Sequence, residues 1–290
     1  MSIPELRIIG ESINDSVPST HALFEANDLD GVVEVARFQA EKGAAFIDVN
    51  VGLNTPAFMA DAVKAIQKHI SLPLSIDTPD PALAAAGLEA YDASLAGNQF
   101  PILNSISEAR LEMFDLYKQQ AFMPILLITE GVDDSGEVVM NKTAAGTYAT
   151  AKAMVNIARE RTGDVPNEQL ILDPGISPIS SDSEGDFKRL MDTLTLVHAD
   201  ADLKGVDMSV GLSNFTVMLP PKTPDGLFIR SSLESAFLTL AMPLGLRTVI
   251  GSVRRNYKIL DDDHPAMICL RDILKLDGYD VLMRLMSFYS

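Results

Sequence analysis

The stretch FIDVNVG at 46–52 holds an apolar run, two polar residues two positions apart and a closing glycine. Runs of similar build recur along the chain: RIIGE at 7–11, PLSIDT at 73–78, FPILNS at 100–105, PILLIT at 124–129, LILDPG at 170–175, VGLSN at 210–214 and TVIGS at 248–252. Most are apolar on both faces, as strands of a helix-covered parallel sheet are. Most end in Asp, Asn, Glu, Ser or Thr followed by a turn. Between them, apolar residues recur every three or four positions, which predicts helices at about 30–42, 57–69, 80–91, 107–120, 144–162, 185–201, 231–244 and 264–287. Eight strands alternating with helices predict an α/β fold, a (β/α)8 TIM barrel in a single domain spanning 1–290. A doubly wound open sheet would show a similar alternation; the count of eight and the final helix favour the barrel.

Punctuation supports the helices. Asp80-Pro81 supplies a cap and a first-position proline. Gly43, Gly87, Gly163, Gly205 and Gly245 fall where a left-handed residue would end a helix. The stretches 131–143 and 216–229 read as long loops.

A formal charge of −17 and an isoelectric point near 4.5 argue against a phosphate-backbone partner, hence against nucleic acid. The single cysteine, Cys269, excludes an intramolecular disulfide and reads as a buried thiol on the last helix. Residues 1–20 lack the apolar core of a signal peptide, and no run reaches the roughly 18 apolar residues of a membrane span. The expectation is a cytoplasmic protein without membrane association. His21, His69, His198 and His264 have no metal-ligand spacing, so no bound metal is expected. G-x-S-x-G, P-loop and G-x-G-x-x-G patterns are missing, which removes support for nucleophilic hydrolysis, P-loop chemistry and Rossmann hydride transfer.

In a (β/α)8 barrel the C-terminal strand ends face one site. Asp77, Asn104, Asp173 and Asn214 would converge there, joined by Glu11, Asn14, Asp48 and Asn50. A carboxylate accepts N–H bonds, and an amide both donates and accepts. Such a box suits a planar heterocycle with an amino–amide edge, a guanine-like or pterin ring. For any one strand-end residue, capping a helix or tying a loop is an equally good account; four together favour a ligand. Glu11, Asn14, Asp48 and Asn50 fit a polar network closing the barrel as well as they fit direct contact. Arg230, Arg247, Arg254 and Arg255 lie near the last two strands, with surface solvation the plainer role for most of them.

The succession IIGESIN, FIDVNVG, LSIDT, ILNSIS, LILDPG and GLSN, from about residue 7 to 255, resembles the pterin-binding methyltransferases. These include methyltetrahydrofolate:corrinoid protein methyltransferases, the folate domain of cobalamin-dependent methionine synthase, and stand-alone components of corrinoid-dependent demethylation systems. The resemblance implies a pterin-binding barrel, usually homodimeric, that moves a methyl group between a partner corrinoid protein's cobalamin and N5 of tetrahydrofolate. Its substrate would be tetrahydrofolate or 5-methyltetrahydrofolate, with the demethylating direction forming the methylated folate. It implies pterin contacts for Asp77, Asn104 and Asp173, and a catalytic role beside N5 for Asn214. Glu11, Asn14, Asp48 and Asn50 match its supporting positions. The chain departs from the family after strand five, from Thr129 through Asn141. Dihydropteroate synthase shares SIDT and LDPG, but PGISPISSD at 174–182 lacks the expected Lys and RTVIGSVRRN at 247–256 lacks the expected His. A non-catalytic module binding pterin or a corrinoid protein would use the same pocket.

Overall fold

The computed structural model describes residues 3–133 and 135–290. Eight strands pair in parallel: β1 (Arg7–Gly10), β2 (Phe46–Val49), β3 (Leu74–Asp77), β4 (Ile102–Ile106), β5 (Met123–Leu127), β8 (Ile171–Asp173), β9 (Asp207–Gly211) and β10 (Leu246–Gly251). Between β5 and β8 two short strands, β6 (Glu130–Val132) and β7 (Val138–Met140), stand outside the barrel. The barrel closes in the order β1-β10-β9-β8-β5-β4-β3-β2. Each barrel strand's neighbour in sequence is also its neighbour in space, as short right-handed crossovers require. The (β/α)8 expectation holds, and the open-sheet alternative falls with the β1–β10 pairing.

Helices α1 (Pro18–Glu25), α2 (Leu29–Glu41), α3 (Pro56–Gln67), α4 (Pro81–Ala90), α5 (Ala144–Thr162), α6 (Asp186–Ala199), α7 (Leu212–Phe215), α8 (Ile229–Ala241), α9 (Pro265–Ile273) and α10 (Tyr279–Tyr289) lie in the connections and after β10. Their starts follow local chemistry. Asp28, Thr55, Asp80 and Thr143 each accept a first-turn backbone N–H at α2, α3, α4 and α5. Cys269 is buried on α9, where its thiol is pushed up to about 11 by burial.

Strand alternation makes two cores. One fills the barrel interior: Ile9, Phe46, Ile102, Met123, Ile125 and Ile171 pack together. The other lies between sheet and helices, where Ile47, Ile76, Leu103, Leu126 and Leu172 meet the helical apolar stripes. Near the N-terminal strand ends, Arg7 pairs with Asp207 and donates from Nε to Thr248 Oγ1 at 3.1 Å.

Several expectations are corrected. The stretch 131–143 holds an antiparallel hairpin, β6 with β7, rather than loop alone. Its turn is set by Asp133, whose carboxylate accepts from Ser135 N and Glu137 N, and by Gly136 at φ 85°. The helix expected at 107–120 is 3₁₀ over Glu108–Lys118, with non-helical dihedrals at Arg110. There Glu108 turns its carboxylate to Val132 N of the hairpin. The helix expected at 264–287 is two, split at Asp277-Gly278, where Gly278 adopts φ 57°. Gly87 sits inside α4 rather than ending it. A Cβ there would meet Ile76 Cγ2 at 2.8 Å, so the glycine lets α4 approach β3. The strand read as VGLSN ends at Gly211, and Asn214 belongs to α7.

Beneath α7, Phe187, Phe215 and Phe237 form a buried triangle with centroids 5.3, 5.5 and 6.3 Å apart. Phe237→Ala leaves a cavity under the β9 turn and is expected to destabilise the protein by about 3–5 kcal/mol. Urea unfolding followed by circular dichroism measures it; an unchanged midpoint would show that the triangle contributes nothing.

Candidate active site

Alternation inside the barrel builds the site. Phe46, Ile102 and Ile171 fill the interior, and two residues further on Asp48, Asn104 and Asp173 stand nearer the C-terminal mouth. Register aligns them: Asp48 opposes Ser75, Asp77 opposes Asn104, and Asp173 opposes Leu127. A cavity of about 420 Å³ opens there, with Glu11, Asn14, Asp48, Asp77, Asn104 and Asn214 among its lining residues.

Two candidates stand beside the lining rather than in it. Asn50 donates from Nδ2 to Asp77 Oδ2 at 2.9 Å and accepts from Gly52 N, so it orients Asp77. Asp173, at the end of β8, accepts from Gly175 N at 2.7 Å. Asn14 lines the cavity but uses its side-chain oxygen to tie the loop, accepting from Ser16 N and Ser16 Oγ.

The electrostatics are unusual for so many acids in one place. Neither carboxylate oxygen of Asp48 has a well-formed hydrogen bond, although both are buried; Ser75 and Asp77 are their polar neighbours. Burial, reinforced by the neighbouring Asp77, holds the Asp48 carboxyl well above the usual range. Asp77 is raised by burial, with the Asn50 bond opposing. Asp173 is pushed up to about 7 by burial, against the Gly175 N–H. Glu11 is raised by burial, while the Ser213 hydroxyl and the Arg255 charge pull it down. Acceptors this poorly served by the protein suit a ligand that brings N–H donors.

Asn214 is carried on a braced turn. Ser213 donates to Glu11 Oε1 at 2.6 Å on one side, and Thr216 donates to Glu234 on the other. Glu234, on α8, is fully buried, faces Arg255 Nε at 3.4 Å, and has a carboxyl raised to about 7 by burial. The Asn214 amide folds over Gly211, where a Cβ would lie 2.9 Å from Nδ2.

Sequence reasoning missed Ser12, Ser213 and Ile250 in the lining and Gln39, Glu234 and Tyr257 behind it. Gln39 was legible as a polar residue on the apolar stripe of α2; its Oε1 accepts from Ser12 N at 2.9 Å. Glu234 gave a similar signal within SSLESAF. Of the four arginines, Arg230 donates to Leu219 O, Arg254 lies over the Phe38 ring, and Arg255 pairs with Glu234. Among the described residues no group of His, Cys, Asp and Glu could hold a metal ion, and no helix is long and apolar enough to cross a membrane.

Comparison with known proteins identifies the family and the fold. A family model described as pterin binding enzyme matches residues 13–251. The methylcorrinoid:tetrahydrofolate methyltransferase of Eubacterium limosum is 24% identical over 255 residues, covering 84% of this chain and 83% of that protein. Dihydropteroate synthase from Xanthomonas albilineans, in complex with 7,8-dihydropteroate, superposes with a TM-score of 0.57 at 16% identity, over 95% of this chain and 96% of that one. The dihydropteroate synthase of Thermus thermophilus gives a TM-score of 0.56 at 17% identity, over 95% and 93% of the two chains. At such identities the structural likeness carries the barrel alone. The family match spans most of the chain, strands β2 to β10 entire, and this chain belongs to the pterin-binding enzymes.

Proposed function

We propose that the protein is a methyltransferase moving a methyl group between the corrinoid of a partner protein and N5 of tetrahydrofolate. The observation that carries the pterin half is the buried Asp48 carboxyl, whose oxygens lack a well-formed hydrogen bond, beside Asp77 and Asn104 in one cavity. A pterin's amino and ring N–H groups would supply the missing donors to Asp48, Asp77 and Asp173, and the Asn104 amide can serve either sense of bond. The corrinoid half rests on the Eubacterium limosum relative.

The partner's corrinoid supplies the methyl chemistry. This chain's residues bind the pterin, orient N5 and hold a hydrogen bond to it. Asn214 carries that bond in our reading; its brace between Glu11 and Glu234 limits where the amide can go. An amide does not release a proton at neutral pH, so Asn214 stabilises charge at N5 without being its acid. Exposed Leu53 and Met218, in the loops after β2 and β9, give the mouth an apolar rim suited to a protein partner. We further read 1–290 as one domain, of which residues 1, 2 and 134 lie outside the described set, and as a homodimer located in the cytoplasm.

Dihydropteroate synthesis is the second reading, favoured by the solved structures of like fold. The residue types after β8 and β10 argue against it: no Lys in 174–182 and no His in 247–256. An assay with methylcobalamin and tetrahydrofolate tests the proposal. Methyl transfer supports it, whereas pterin binding without transfer would leave a non-catalytic binding module.

Asp77→Asn and Asp173→Asn are each expected to weaken tetrahydrofolate binding by about 1–3 kcal/mol, the scale of an unpaired buried polar group. Calorimetry on both folded variants decides this, and unchanged affinity in both would sink the contact assignment. The Asp173 carboxyl, raised to about 7 in the free protein, must be ionised for both of its oxygens to accept pterin N–H groups. Affinity should therefore be full above that pH and fall below it, whereas Asp173→Asn should lose this dependence; superimposable pH profiles would exclude Asp173 as the titrating acceptor. Asn214→Ala is expected to slow methyl transfer by about 10²–10³-fold, by analogy with a lost oxyanion-hole donor, with little change in pterin affinity. Single-turnover kinetics paired with a binding titration reads both quantities, and a wild-type rate at saturating pterin would remove Asn214 from the chemical step.

A further inference from the structure

Beside the pterin cavity lies a larger one of about 790 Å³, between the start of α8 and the segment after β10. Arg254, Arg255 and Lys258 line it together with Ser231, Ser232 and Asn256. Its remaining wall includes Phe228, Ile259 and Leu260, and one carboxylate, Asp261. Three cations within five residues run against the composition of a chain with a net charge of −17. They are also differently committed. Arg255 is ion-paired to the buried Glu234. Arg254 rests its guanidinium 4.3 Å over the Phe38 ring, which leaves the guanidinium edge for another partner. Lys258 is exposed, and its backbone N–H bonds Ser235 Oγ.

The two cavities have no lining residue in common, and Arg255 is the link between them. Arg255 lines the second, and its charge reaches Glu11, which lines the first. A substrate tail that leaves the first cavity past Glu11 would therefore meet the charge of Arg255.

We propose that this second cavity seats the γ-linked glutamyl tail of the folate substrate, with Arg254 and Lys258 pairing its carboxylates and Phe228 and Ile259 covering its methylene spacers. The proposal rests on the pterin reading of the first cavity. Folates carry a p-aminobenzoyl-glutamate and, in extended forms, further γ-linked glutamates, so the tail offers one carboxylate per unit on an apolar stem. Charge and wall chemistry match it on both counts: the lining combines cations and hydroxyls with aromatic and aliphatic surface.

The test compares three probes, a bare tetrahydropterin head, tetrahydrofolate monoglutamate and its triglutamate, on the full-length protein and on the double variant Arg254→Ala/Lys258→Ala. Both side chains are exposed, so the variant is expected to fold, and circular dichroism checks it. Wild type should bind the triglutamate about five- to tenfold more tightly than the monoglutamate, with the gain shrinking as salt rises. The variant should lose most of that gain and bind the bare head as wild type does. No gain from the longer tail in wild type, or an equal gain in the variant, overturns the tail site while leaving the pterin reading intact. Failure of the bare head and the monoglutamate to bind wild type overturns both. A tail gain that survives in the variant while corrinoid-protein docking weakens assigns the cations to an acidic partner surface and also overturns the proposal.

Discussion

A closed barrel forces every second strand residue into a space that water enters only from the ends. Where that residue is Ile or Phe, the interior packs, as around Ile9, Phe46, Ile102 and Ile171. Where it is Asp, a charge loses its hydration and gains little in return. Asp48, Asp77 and Asp173 stand in that position together, raised by burial and without enough donors between them. An unpaired buried acceptor is among the costlier features a fold can carry. The larger hydrophobic core between sheet and helices offsets that cost, and a ligand rich in N–H donors would remove it.

The support around this mouth is largely directional. Asn50 aims Asp77, Gln39 holds the turn at Ser12, and Glu11 and Glu234 brace the turn that presents Asn214. The glycines there serve proximity rather than flexibility. Gly10 and Gly211 leave room for Gln39 Oε1 and Asn214 Nδ2 at distances no side chain would tolerate. A site held this way keeps its polar groups in place before a ligand arrives, which lowers the ordering cost of binding.

Charge divides the surroundings of the mouth. The acids lie inside the barrel and the cations of 254–258 lie outside it, with Arg255 and Glu234 as the pair at the boundary. A substrate with a donor-rich head and an anionic tail would meet the right partner at each end. The barrel architecture is shared with dihydropteroate synthases, so fold and function separate here in the usual way: architecture sets where a site is, and the side chains at the strand ends set what it does.

The short apolar runs, their polar ends and the helical spacing between them determined the eight strands, the barrel and the convergence of Asp48, Asp77, Asn104 and Asn214, because these depend on local periodicity and on a fold rule that gathers C-terminal strand ends. The cap at Asp80 was equally local. Tertiary structure alone decided what lies beyond a few residues. Gly87 looked like a helix end and is a contact between α4 and β3. The stretch after β5 looked like loop and is a hairpin, because Asp133 and Gly136 turn it back on itself. Whether Asn50 touches a ligand or orients Asp77, whether Glu234 is solvated or buried under Thr216, and whether Arg254 and Lys258 meet at one cavity are questions of distance between segments remote in sequence. A pattern of residue types carries no such distances; only packing in three dimensions sets them.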